Sequence, residues 1–299
     1  MAVPDAAPSL WSGLLLAMAG AIAFSGKAII VKLAYRHGVD AVTLIMLRML
    51  FALPLFALLA WWAGRGKPAL TGRDWRVVAL LGFSGYYLAS FLDFMGLQYV
   101  SASLERLILY LGPTLVLLLG RVLFQRSVAR KQVLALMVSY LGVLLVFGQE
   151  IKVEGADVAL GAGLILASTL SYALYLVYSG EEVQRLGAMR LTGLATGVAC
   201  VLCIAQYLLL RPWASVLQVA TPVLWLSLLN ATLCTFAPVL MVMMAIERVG
   251  AAMASQAGMI GPISTIAMSG WILGEAFTAW IAAGTVLVLA GVWLLTRWR

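Results

Sequence analysis

The sequence predicts an all-α, polytopic membrane protein: ten transmembrane helices in two inverted repeats of five. Three observations carry that prediction. Of 299 residues, 64% are hydrophobic and 11% charged, whereas soluble domains run nearer half apolar and about a quarter charged. Apolar stretches of spanning length recur ten times. A phrase in the first half, "SLERLILYLGP" (103–113), returns in the second as "AMASQAGMIGP" (252–262), 149 residues later.

The ten stretches lie near 10–35, 41–63, 76–98, 101–124, 132–148, 159–179, 191–210, 222–245, 249–273 and 278–296. Most are about as long as the roughly 20 residues a helix needs to cross a bilayer core. Helices satisfy their own backbone in lipid, which open strands do not. Short connections leave no room for an extramembrane domain. The first stretch has no basic segment before Trp11 and exceeds the apolar core of a signal peptide, so it reads as a span and not as a cleaved leader.

Ionisable residues inside spans are costly and usually face the bundle interior. Span 1 carries Lys27 beside Gly26, and span 2 carries Arg48 near its outer end. In span 3, Tyr86, Ser90 and Asp93 follow i, i+4, i+7 along one helix face. In span 4, Ser103, Arg106, Tyr110 and Pro113 share a face, with Glu105 about 100° away. The connection between spans 3 and 4 is short, so Asp93 and the Glu105–Arg106 pair are expected at similar depth. Arg121 sits near the cytoplasmic end of span 4, where it can snorkel as an anchor. Span 6 presents Ser168, Tyr172 and Tyr175 on one face. Span 8 adds Asn230 and Thr235, and span 9 adds Ser255 and Gln256. Together these predict a tyrosine-rich, sparsely charged cavity between spans 1, 3, 4, 6, 8 and 9. Such a cavity suits a small solute with an apolar body and a polar or zwitterionic head. Tyr99 and Tyr178 fall near span ends and read as the interfacial belt.

The 149-residue register holds elsewhere: Gly38 with Gly187, Val100 with Val249, Gly142 with Gly291, and Gly112-Pro113 with Gly261-Pro262. It divides the chain into repeats at 1–150 and 151–299. Five is odd, so the second repeat enters from the opposite side, an architecture typical of secondary transporters with midplane sites. Each proline removes a donor and kinks its helix, which makes the two Gly-Pro pairs candidate hinges. Basic residues are divided unevenly between the two sets of loops, 12 against 4, which places both termini in the cytoplasm.

The net charge of +8 is therefore a topology signal, not a nucleic-acid footprint. Cys200 and Cys203 form a CxxC inside span 7, without further ligands nearby; His37 is the only histidine. They read as packing residues, with no metal or cofactor implied. Gly193/Gly197 and Gly270/Gly274 permit close helix packing; no dimer follows from them, and the chain reads as a monomer in the bilayer. No phosphate-binding motif argues for ATP drive. An enzyme would want a richer nucleophile or acid–base set, and a channel would want rings of charge or a carbonyl filter.

Two segments, "LIMLRMLFALPLF" (44–56) and "GPISTIAMSGWILGEAFTAW" (261–280), resemble the drug/metabolite transporter superfamily in its ten-helix EamA-type branch, along the whole chain. The resemblance implies a secondary exporter of amino acids, other metabolites or drugs in a bacterial inner membrane. Within the branch, the aromatic middle helices most resemble an aromatic amino acid exporter. It also implies a structural role for Arg48. The chain departs from the pattern in the first half, where Gln125-Arg126 stands in place of Gly274-Glu275.

Single-cysteine labelling should reach positions 67 and 130 from the cytoplasm and position 152 from outside. The reverse pattern would invert the orientation.

Overall fold

A computed structural model describes the backbone of residues 10–125 and 129–297; the side chains of residues 181, 247, 250–252, 255, 256 and 296 also lie outside the described set. Among the described residues the chain is helical, without strands. Eight helices are long and apolar enough to span a membrane: α1 Leu10–Tyr35, α2 Ala41–Gly64, α3 Gly72–Gly96, α4 Ala102–Phe124, α5 Arg130–Glu154, α6 Asp157–Gly180, α7 Ala188–Leu210 and α8 Thr221–Ile246. Two shorter apolar helices follow, α9 Ile260–Leu273 and α10 Ala279–Leu295. With ten alternating segments, the start of α1 and the end of α10 share one face, called here the termini face.

Local chemistry sets the boundaries. Asp40 caps α2 by accepting from the Val42 and Thr43 backbone N–H groups. Thr71 and Asp74 form a reciprocal capping box on α3, which satisfies otherwise orphaned donors. Ser101 caps α4 through Leu104 N–H.

The 149-residue register reappears in backbone detail. α3 widens to a π-helical turn at Phe83–Leu88, and α8 does so at Thr232–Phe236. Gln125 and Gly274, one register apart, both adopt the left-handed conformation, at φ 53° and 74°. α4 breaks between Ala102–Leu109 and Gly112–Phe124. Helical order is likewise interrupted between Ala257 and Ile260, just before Pro262. Both breaks fall in the turn ahead of a proline. Pro113 and Pro262 cannot bond to the carbonyls four residues earlier, those of Leu109 and Gly258.

One expected loop is absent. The helix Ala237–Ala257 runs through the corner between spans 8 and 9 without losing helical hydrogen bonding. Its neighbours reveal the reversal: Gly20 lies beside Met241, Gly13 beside Val249, and Ser25 beside Gly261.

α5 and α10 pack reciprocally. A Cβ on Gly142 would lie 2.6 Å from the Gly284 carbonyl oxygen, and one on Gly291 2.7 Å from the Ala135 oxygen. Ala135 and Gly284 are themselves one register apart, so each contact repeats the other. The buried apolar residues form two principal bodies. One joins α1, α2, α7 and α8 with the end of α3; the other joins α4, α5, α6, α9 and α10. Large apolar side chains such as Trp61, Trp75 and Trp271 are exposed, as expected of a lipid-facing surface.

Gly142→Val and Gly291→Val should each destabilise the protein by about 1–3 kcal/mol through overpacking. Thermal unfolding in detergent should show a lowered transition for both; parent-like midpoints would contradict the contact.

Candidate functional site

Between the two apolar bodies lies a charged cluster. Lys27 on α1 is 6% exposed, Asp93 on α3 3%, Glu105 on α4 0%, and Arg106 5%, so none of them snorkels to a headgroup. Lys27 Nζ donates to Asp93 Oδ2 at 2.6 Å. The same nitrogen lies 3.1 Å from Glu105 Oε1, an ion-pair contact without hydrogen-bond alignment. Both Glu105 oxygens and Asp93 Oδ1 therefore have no hydrogen-bond donor among the described residues. Lys27 reaches this point because α1 runs close to α8: a Cβ on Gly26 would lie 3.0 Å from Cys234 Sγ.

Glu105 and Arg106, about 100° apart on the helix as their spacing predicts, turn to different neighbours. Arg106 Nη2 donates to Ser25 Oγ at 2.9 Å. Ser25 is bonded to the Gly261 carbonyl at 2.9 Å, and Ser264 donates to Ser25 Oγ at 2.9 Å. The Arg106 guanidinium lies 5.2 Å from the Phe24 ring centroid and 5.5 Å from that of Tyr110, within cation–π range. Tyr110 Oη donates at 2.7 Å to the Gly258 carbonyl, which Pro262 cannot bond and which also accepts from Gly261 N–H at 2.9 Å. Ser103, Arg106 and Tyr110 thus share a face, as the helical spacing predicts, and that face meets α1 and α9. Gly261 makes this approach possible, since a Cβ there would sit 2.7 Å from both Arg106 Nη2 and Tyr110 Oη. Arg106 Nε remains without a partner.

Arg48 donates through Nε to Thr235 Oγ1 at 3.1 Å and lies 5.2 Å from the Phe94 ring centroid. Thr235 donates in turn to the Asn230 carbonyl. Arg48 thus holds the π-helical turn of α8. Its Nη1 and the side-chain amide of Asn230 are buried without partners among the described residues.

The tyrosines form a second group. Tyr86 and Tyr175 meet edge to face at 5.1 Å, Tyr172 stacks on Tyr175 at 5.5 Å, and the Tyr86 and Tyr175 hydroxyls are 3.3 Å apart. Tyr175 lies flat over Gly85. Tyr86 stands seven residues from Asp93, about 10 Å along the helix, so the rings lie nearer the termini face than the charges. Ser168 donates to the Ala89 carbonyl at 2.6 Å and binds α6 to α3. Ser90 is partly buried. The side chains of Ser255 and Gln256 lie outside the described residues. Cys200 and Cys203 are buried in the first apolar body, with Cys200 against Met49. Among the described residues, no group of three His, Cys, Asp or Glu is placed to hold a metal.

At the opposite face a cavity of about 660 Å³ opens over the cluster, lined by Lys32, Arg36, Asp40, Gln98, Glu154 and Glu275 among others. Partial burial opposes ionisation of Asp40, but bonds from Thr43 and Arg211 outweigh it and hold the carboxyl below its ordinary range. Beneath this vestibule, Glu275 accepts from Ala102 N–H at 2.8 Å, Ser103 N–H at 3.3 Å and Ser103 Oγ at 3.0 Å. Glu150 accepts from the Ser101 backbone and hydroxyl. Sequence reasoning missed Ser25, Phe24, Glu150 and the bond partner of Glu275; the departure at Gln125-Arg126 was the available signal for the last.

A family model described as the EamA-like transporter family matches residues 11–148 and again 159–297. The chain is 28% identical over 280 residues to the uncharacterized transporter YcbK of Bacillus subtilis (strain 168), covering 88% of this chain and 86% of that one. It is 32% identical over 91 residues to the uncharacterized transporter YyaM of the same organism, covering 28% of this chain and 30% of that one. A solved crystal structure of a protein with 15% identity superposes at a TM-score of 0.64, covering 97% of this chain and 98% of the other; that likeness concerns the fold.

Lys27→Met should be the most damaging single change in the cluster, because it strands two buried carboxylates. Removing one partner of a buried pair costs roughly 3–5 kcal/mol. The triple change Lys27→Met, Asp93→Asn, Glu105→Gln should recover much of that loss in detergent unfolding. A triple variant no more stable than Lys27→Met would refute the pairing.

Proposed function

The chain belongs to the EamA-like transporter family, and from that membership we propose that it is a secondary exporter of zwitterionic amino acids with apolar or aromatic side chains. One observation carries the solute class. Among the described residues, five buried polar atoms have no aligned hydrogen bond: donors on Arg48 Nη1 and Arg106 Nε, and acceptors on Asp93 Oδ1 and both Glu105 oxygens, of which Oε1 is ion-paired with Lys27. Donors fit a carboxylate and acceptors fit an ammonium. Buried polar groups are ordinarily bonded, so a ligand bearing both charges completes the site. Three cations, Lys27, Arg48 and Arg106, face two carboxylates, and a buried excess of positive charge favours a carboxylate-bearing solute. The rings of Tyr86, Tyr172 and Tyr175 offer a surface for an apolar or aromatic body.

In this reading residues 1–150 and 151–299 act as inverted repeats in a bacterial inner membrane, with both termini cytoplasmic. The monomer binds its solute between them, without a cofactor or nucleic acid. The breaks before Gly112-Pro113 and Gly261-Pro262 serve as hinges for alternating access. A second reading, export of amphipathic drugs or other metabolites, draws on the stacked tyrosines alone and does not need the charged cluster.

Flux of labelled solutes from liposomes containing purified protein tests both readings. Phenylalanine and leucine should move saturably, while their decarboxylated amines and N-acetylated forms compete weakly. Arg106→Gln should weaken amino acid affinity roughly 10- to 100-fold, about 1.4–2.7 kcal/mol, and Arg106→Lys should restore it only in part because lysine lacks the planar fork. Equal transport of the amine and the amino acid would refute the zwitterion reading and favour the second.

A further inference from the structure

We infer that Glu275 is a positioning residue, the latch of a gate at the opposite face, and that its presence in only one repeat makes the protein rest open toward the termini face. The inference rests on the carrier reading above, but not on which solute is carried.

The first donors of α4 are fully accounted for. Leu104 N–H is satisfied by Ser101 Oγ, while Ala102 N–H and Ser103 N–H are both taken by Glu275. A helix ordinarily meets these orphan groups with its own capping residues or water. Here two are met from the turn between α9 and α10. Gly274 makes this possible. Its left-handed backbone, φ 74°, ends α9, and Glu275 N–H bonds back to the Ser269 carbonyl at 3.1 Å. The carboxylate then lies at the positive end of α4, where negative charge is favoured. Ser103 Oγ also meets Ser269 Oγ at 3.0 Å, and Arg36 holds the Leu273 carbonyl at 2.6 Å. The seam joins the end of α9 to the start of α4 and the end of α1. Opening a path from the charged cluster to the vestibule requires α4 to leave it.

The other repeat cannot write this seam. One register away, Ser101, Ala102 and Ser103 correspond to Gly250, Ala251 and Ala252, and Glu275 corresponds to Arg126. Neither the capping hydroxyls nor the carboxylate is present, and the charge is reversed. The first segment of α4 packs on both α6 and α9, and the second, Gly112–Phe124, on α6 and α10. Three Glu275 bonds at one gate, with neither an acid nor capping hydroxyls at the register-equivalent positions of the other, favour the state in which the latched gate is shut.

Distances between paired spin labels on the full-length protein in nanodiscs test this without any solute. One pair, Gln98→Cys with Phe277→Cys, spans the latched face. The other, Val122→Cys with Arg248→Cys, spans the termini face. Native cysteines are replaced by alanine. The parent should show a short distance for the first pair and a long one for the second. Glu275→Ala should shift populations at least about tenfold, equivalent to ~1.4 kcal/mol, lengthening the first distance and shortening the second together. Glu275→Gln, which keeps the shape and one acceptor, should shift them less, and Ser103→Ala less again. Either of these milder variants serves if Glu275→Ala does not fold. Unchanged distances in folded variants would overturn the inference. So would lengthening at the latched face without closure at the termini face, since Glu275 would then be a local cap. A failed amino acid flux with the reciprocal shift intact would refute the solute class and leave the latch standing.

Discussion

The arrangement of the bundle depends on one ammonium group that two carboxylates share inside the membrane. Lys27 brings α1 to Asp93 of α3 and Glu105 of α4, and in doing so ties the two apolar bodies together at their seam. An isolated charge at this depth is strongly disfavoured, so the helices that carry the three residues cannot separate independently. Apolar packing between helices supplies little orientation in lipid, because lipid tails are as apolar as leucine. The charges provide the orientation. They do so incompletely, since three carboxylate oxygens have no aligned hydrogen bond among the described residues, and it is this incompleteness that the proposed solute would complete.

Much of the architecture was legible because repetition converts a weak local signal into a strong one. Gly142 and Gly291 mean little alone in an apolar helix. Placed one register apart, they mark the two halves of one reciprocal contact between α5 and α10. Gly38 and Gly187 each adopt positive φ after a span, as two copies of one turn should. The helix face Ser103–Arg106–Tyr110 followed from 3.6-residue spacing alone, and the structure keeps it. The π-helical turns were not legible, because no side chain announces a widened turn. The corner between spans 8 and 9 was read at 246–248, but not that the chain stays helical through it.

Partners were harder to read than faces. Glu105 and Arg106 are adjacent in sequence, which invites the inference that they neutralise each other, yet consecutive helix residues point about 100° apart. Each therefore meets a different neighbour, Lys27 or Ser25. Those neighbours lie 78 to 81 residues away, and nothing in a single sequence assigns them. Ser168 illustrates the converse. Its place beside Tyr172 and Tyr175 on one face reads as a cavity hydroxyl, but helix α6 comes so near α3 that the hydroxyl is used on the Ala89 carbonyl.

The family match, twice along the chain, gives the repetition a functional setting, and the departure between copies then carries the information. A symmetric pair of repeats has no reason to favour either face. Symmetry is kept where both states need the same mechanics: the π-helical turns, the proline-linked breaks, and the glycine contacts of α5 with α10. It is broken where the faces must differ. The charged phrase in α4 has an uncharged counterpart before α9, and Glu275 has a basic one at Arg126. Both departures place acid–base chemistry on the side away from the termini. In the proposed carrier, the phrase written twice supplies the moving parts, and its single charged copy gives the motion a direction.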